Sequence, residues 1–116
     1  MYDLNPDYPY SSIRRRLACS VLGSTTKLLY QNVSSQTIYV TRIFVCNSDA
    51  VSRYYSLNHL IRNEVVSTNN RLKYQTVIAA NTTDVIEFIA LAPYDSIWGL
   101  ASAATGVNVV IYGGEG

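Results

Sequence analysis

The sequence predicts an all-β fold, a sandwich or barrel of about eight short antiparallel strands, and three observations carry that expectation. Segments rich in Val, Ile, Thr, Tyr or Phe recur roughly every ten residues from residue 18 onward. Gly, Asn, Ser, Asp or Pro bounds each of them, as turn chemistry requires. No segment shows a convincing helical repeat of apolar residues. A chain of 116 residues, 48% of them apolar, can bury about two-thirds of its unfolded surface in one core without staples.

Taken in order, residues 1–17 come first, with Pro6, Pro9, Tyr2, Tyr8, Tyr10 and the triplet Arg14, Arg15 and Arg16. The prolines oppose a regular helix, and the aliphatic content is too small for a separate core. This segment is expected to be either a tail or an extended N-terminal arm that becomes ordered against a neighbour. Residues 18–116 are expected to form the β-sandwich domain. Its strands are placed at Ala18–Leu22, Lys27–Val33, Thr37–Asn47, Arg53–Ile61, Leu72–Ala79, Val85–Ile89, Ser96–Ala101 and Val107–Tyr112. The stretches 32–36, 80–83 and 92–95 read as turns, 63–71 as a polar loop or edge excursion, and 113–116 as a flexible end.

Alternation assigns faces. Val107, Val109 and Ile111 share one face of their strand, Asn108, Val110 and Tyr112 the other. Ile86 and Phe88 share a face, opposite Val85, Glu87 and Ile89. The first set in each strand is expected to face the core. In 37–47 both faces are half apolar, so that strand is either buried on both sides or bulged. Tyr54 and Tyr55 must put one ring on each face of theirs.

Charge excludes several functions. The net charge of +1 supplies no global field for nucleic acid or an anionic membrane. No apolar run approaches the roughly 20 residues of a bilayer-spanning helix, and the stretch after the Arg triplet is too short for a signal peptide. Charged residues make up only 15% of the chain, against roughly 25% in ordinary soluble domains. A surface so poor in charge is expected to be covered by an oligomer or a larger assembly.

Chemistry is sparse. Cys19 and Cys46 have no CxxC spacing, and both are expected to pack as small apolar residues on strands in a reducing cytoplasm. His59, the one histidine, has no second imidazole or acidic cluster beside it in sequence, so neither a metal nor a cofactor is expected. No nucleophile or phosphate-binding motif occurs, and the carboxylates are scattered, so no enzyme is expected. The sequons at Asn32 and Asn81 coincide with turn chemistry. Tyr2, Tyr8 and Tyr10 beside the Arg triplet could stack bases. Without a basic groove elsewhere, docking of the arm on an acidic neighbouring subunit is the better reading. Ten tyrosines against two Phe and one Trp suit an interface as well as a core edge.

The run Thr76-Val77-Ile78-Ala79-Ala80-Asn81-Thr82-Thr83-Asp84-Val85-Ile86-Glu87-Phe88 is followed by Leu91-Ala92-Pro93-Tyr94-Asp95-Ser96-Ile97. Ala101-Ser102 and Val107-Asn108-Val109-Val110-Ile111-Tyr112-Gly113 complete the series. Together they resemble a recurring pattern of small phage virion structural proteins over about residues 27–116. The chain departs from that pattern at Pro93-Tyr94 and in its Tyr-rich arm. The resemblance implies a jelly-roll-like two-sheet sandwich in a virion assembled in the host cytoplasm. Its role there would be capsid cement or decoration, or a tail, neck or baseplate subunit. Implied partners are the major capsid protein or other virion subunits, and further copies of the chain in a dimer or trimer. Tyr2, Tyr8 and Tyr10 would bury rings in a partner, and Arg14, Arg15 and Arg16 would pair with its carboxylates. A rival from another class is a carbohydrate- or receptor-binding sandwich that uses its tyrosines and Trp98 as a stacking platform.

Overall fold

The computed structural model describes residues 15–115. They form strands β1 (Arg15–Leu22), β2 (Lys27–Gln31), β3 (Ile38–Asn47), β4 (Arg53–Leu60), β5 (Arg71–Ile78), β6 (Thr82–Leu91), β7 (Ser96–Ala101) and β8 (Val107–Glu115), with one 3-10 turn at Thr68–Asn70. The strands make two antiparallel four-stranded sheets in the orders β1-β8-β3-β6 and β2-β7-β4-β5. The chain crosses from one sheet to the other at every connection except β4 to β5. That order is the double Greek key of a jelly roll. Among the described residues no helix is long and apolar enough to cross a membrane.

Alternation builds the core. Ile38, Val40, Ile43, Val45, Val107, Val109 and Ile111 turn inward from the first sheet, and Tyr55, Leu57 and Ile97 meet them from the second. Tyr55 is fully buried while Tyr54 is exposed, so the pair does divide between the two faces. Two buried asparagines close the ends. Asn47 Nδ2 donates to the carbonyls of Val51, Ile78 and Ala79, and its Oδ1 accepts from Asp49 N. Asn32 Nδ2 donates to Gln36 O and Leu91 O, and its Oδ1 accepts from Ser34 N and Oγ. The Asn32 amide is thus fully engaged, by its own turn and by the end of β6, as turn chemistry at that sequon predicts.

Several boundaries shift. β1 starts at Arg15, so Arg15, Arg16 and Leu17 belong to the sandwich and the arm boundary at 17 falls inside a strand. Pairing with Gly113 and Tyr112 adds backbone bonds that local composition cannot announce. The expected flexible end is strand as far as Glu115, and Gly113 and Gly114 are buried. Gly113 is required there because a Cβ would collide with the Tyr39 carbonyl oxygen. The turn before β6 is shorter than expected. Asn81 takes a left-handed φ of 58 and β6 begins at Thr82.

Phe88 corrects the face assignment. It is 62% exposed, whereas Ile89 is buried and Ile86 packs against the core. The register explains the change. Val40 pairs with Ile89 and Arg42 with Glu87, so Thr41 and Phe88 are both extra residues at this level. Against β8, Thr41 is again the extra residue, and in β1 Leu17 is. A line of irregularities therefore crosses the sheet, and alternation restarts beyond it.

Candidate interaction surface

Paired residues on neighbouring strands point to the same side of a sheet, so the register lays out the outer face of β1-β8-β3-β6 row by row. Cys19 pairs with Val110, Val110 with Phe44 and Phe44 with Val85. One apolar row thus spans all four strands. The next row holds Arg16, Tyr112, Arg42 and Glu87, and the row on the opposite side holds Val21, Asn108, Cys46 and Thr83. Apolar and aromatic groups occupy the middle, with few charges around them.

Two aromatic pairs organise this face. Phe44 meets Tyr112 edge-on with ring centroids 5.8 Å apart. Tyr39 and Phe88 stack at 5.7 Å. Between them lies an open depression of about 750 Å³ lined by Thr41, Arg42, Phe44, Glu87, Phe88 and Tyr112. Arg42 Nε stands 3.6 Å from Glu87 Oε2, and both side chains are largely solvated. Such a pair contributes little to stability but marks a polar edge for whatever lies on the face. A second open depression, of about 430 Å³, continues over Arg16, Cys19, Val21, Asn108 and Val110.

The backbone at Phe88 has a φ of 45, left-handed territory that costs a bulky residue about 1–3 kcal/mol. The ring points largely at solvent and rests on Tyr39. Thr41 Oγ1 donates to Tyr112 O at 3.2 Å and ties down the opposite side of the same irregularity.

Of the residues singled out from sequence, Tyr2, Tyr8, Tyr10 and Arg14 lie outside the described residues. Arg15 and Arg16 are exposed in β1, and they do not act as one cluster. Arg16 joins the aromatic face beside Tyr112. Arg15 acts on Tyr30, whose phenol is pushed up chiefly by burial, pulled back by the Arg15 charge and raised further by Glu115. Phe44, Phe88, Tyr39 and Tyr112 were not singled out. The doubly apolar pattern of 37–47 was the available signal for them.

The cysteines share this same outer face, separated by β8 and by one row. Two strand spacings alone put them about 9.5 Å apart, too far for a disulfide. Both are free thiols on strands, Cys19 exposed and Cys46 half-buried, so the packing expected of Cys19 is not made within the described residues.

The opposite side of the molecule is built differently. Asn58 Nδ2 donates to Ser67 O at 3.1 Å and Asn70 Oδ1 at 2.7 Å, and Asn70 Nδ2 donates to Val65 O at 2.8 Å. These bonds hold residues 61–70 over the outer face of β4 and β7. Trp98 lies half-buried there, in a hollow of about 330 Å³ lined by Leu60, Val65 and Val66 with Thr26 and Glu64. Its Nε1 donates to Ser96 Oγ. His59 Nε2 sits 3.0 Å from Oδ2 of the buried Asp95, which also accepts from Ala92 N. The imidazole therefore has a carboxylate partner that sequence distance concealed, and the contact ties β4 to the turn before β7. Among the described residues no group of three or more His, Cys, Asp or Glu side chains could hold a metal ion.

Comparison with known protein families, with characterised proteins and with solved structures finds no match to this chain.

Proposed function

We propose that this chain is a non-enzymatic structural subunit of a phage particle, a capsid cement or decoration protein that acts through its sandwich and its N-terminal segment. One observation carries the reading: an apolar, aromatic sheet face stands open in a chain with only 15% charged residues. Contiguous exposed apolar surface of this kind marks an interaction site. Eight-stranded jelly rolls recur in viral capsid domains, which supports the same reading at the level of fold analogy. The resemblance of about residues 27–116 to small phage virion proteins adds to it.

In this role the protein does no chemistry. It strengthens a shell by burying its open face and by docking its N-terminal segment against neighbouring subunits. The carbohydrate-binding alternative would centre on Trp98, which is half-buried in a hollow that it shares with Leu60, Val65, Val66, Thr26 and Glu64.

The test is quantitative mass spectrometry of purified particles of the encoding phage. A copy number comparable with the major capsid protein supports the cement role. A far lower number moves the chain to the tail, neck or baseplate, and absence from the particle overturns the reading. Removing residues 1–14 leaves β1 whole and is expected to abolish particle binding without unfolding the sandwich. Undiminished binding of the shortened chain would remove the segment from the mechanism.

A further inference from the structure

The open face has a shape and chemistry that this chain's own N-terminal residues match. It is aromatic-lined, and Arg16 and Arg42 stand in one row across it. Residues 1–14 offer Tyr2, Leu4, Tyr8 and Tyr10 as apolar groups and Asp3 and Asp7 as acids, around a Pro6-Asp7-Tyr8-Pro9 sequence. Segments with prolines at that spacing dock in aromatic-lined grooves because little conformational entropy is left to lose. The acids suit a face that carries Arg16 and Arg42.

Length and direction decide whose face is covered. Fourteen extended residues span about 46 Å, and the longest dimension of the molecule is 45 Å. The segment is therefore long enough to cross a whole face. Yet it joins β1 at Arg15, opposite Gly113, and the line of that strand leads past Glu115 and off the end of the sheet. The Phe44 row lies in the other direction, so to cover its own face the chain would have to reverse.

We propose that residues 1–14 of one copy dock on the outer face of the β1-β8-β3-β6 sheet of a second copy. The tyrosines fill the depressions around Phe88 and Phe44, and Asp3 and Asp7 face Arg16 and Arg42. The strained, outward Phe88 then gains the burial it lacks in a single copy. The proposal rests on the assembly reading for its biological setting, but it is a property of the purified chain. Its failure leaves the particle copy number to be judged separately.

Sedimentation velocity and thiol labelling test it together, because Cys19 lies in the Phe44 row and reports cover of the face. In a Cys46→Ser background, the chain is expected to sediment as an oligomer with Cys19 slow to react with Ellman's reagent. Removal of residues 1–14 is expected to give a monomer whose Cys19 reacts about tenfold faster or more. A synthetic peptide of residues 1–14 is then expected to restore protection. Phe88→Gly in the full chain provides a second route to the monomer, independent of truncation. A full-length monomer with a protected Cys19 that truncation exposes would show the segment folding back on its own copy and would overturn the exchange. Unchanged oligomer and unchanged labelling after truncation would overturn the proposal altogether.

Discussion

The two sheets share one core but differ in how their outer faces are covered. On β2-β7-β4-β5, residues 61–70 fold back over β4 and β7, and Asn58 fastens them with two hydrogen bonds. Leu60 is consequently buried although it stands outside the main core cluster, and Trp98 is half-covered. On β1-β8-β3-β6 nothing among the described residues does the same. Phe44 meets Tyr112 edge-on at the surface, and Phe88 is held outward by a left-handed backbone. The cover on the first sheet is partial, since Leu28, Tyr54, Tyr74 and Val77 stay exposed on its strands, while the second sheet exposes Val21, Val85, Phe88 and Tyr112 with no such cover among the described residues. An apolar sheet face is no defect where it receives a partner, and the difference between the two faces locates the part of the molecule that assembly would use.

The largest effect is expected from uncovering the partly covered face. Asn58→Ala leaves Ser67 O without a side-chain donor and Asn70 Oδ1 short of one, and should cost about 2 kcal/mol in urea denaturation. Trp98, the sole tryptophan, should shift its emission to longer wavelength as residues 61–70 lift away. An unchanged spectrum would mean that the cover is held by other contacts.

Next comes the bond that joins the sheets. Tyr55 Oη donates to Asp84 Oδ2 at 3.0 Å. Burial first, then this bond and the Asp84 charge, push the phenol well above its ordinary value of 10.0. The folded state thus holds the phenolic proton more tightly than the unfolded chain does. The resulting stability is fully present below about pH 10 and is lost as pH rises above it. Tyr55→Phe should cost about 1 kcal/mol at neutral pH and flatten the alkaline decline of the urea midpoint. An equally steep decline in the variant would assign it to other tyrosines or lysines.

Smaller effects are expected on the open face. Phe44→Ser should lower stability by about 1 kcal/mol through loss of the edge-on contact with Tyr112, while sharply reducing self-association. Phe88→Gly should be nearly neutral, within about 0.5 kcal/mol, since glycine relieves the left-handed strain but adds freedom to the unfolded chain. A loss of several kcal/mol at Phe88 would make it a structural residue and erase the contrast between the faces.

Much of this architecture was legible beforehand, for reasons that individual residues make clear. All eight strands were placed because β-branched and aromatic runs between turn residues are local signals. Val107, Val109 and Ile111 were turned inward correctly because their strand alternates without interruption. The same rule failed at Phe88, where an extra residue in β6 matches an extra residue in β3 and nothing in either segment alone announces it. The half-apolar outer side of 37–47 hinted at the open face without showing which neighbours would complete it. The Arg triplet looked like one cluster, but strand pairing places Arg15 and Arg16 on different sides and leaves Arg14 outside the described residues.

By itself, then, the sequence determined the strand content, the turn anchored by Asn32, the inward face of β8 and the poverty of charge. These follow from short-range propensity, period-two alternation and composition, which a linear chain carries in full. The tertiary structure decided which strands are neighbours, because every pairing except β4 with β5 joins strands distant in the chain. It also decided that Gly113 and Gly114 continue a strand, that His59 meets Asp95, and that Cys19 and Cys46 lie too far apart to bridge. Above all it decided that Phe44, Phe88, Tyr39 and Tyr112 share one face. Residues from three different strands become a single surface only when long-range hydrogen-bond register brings them there.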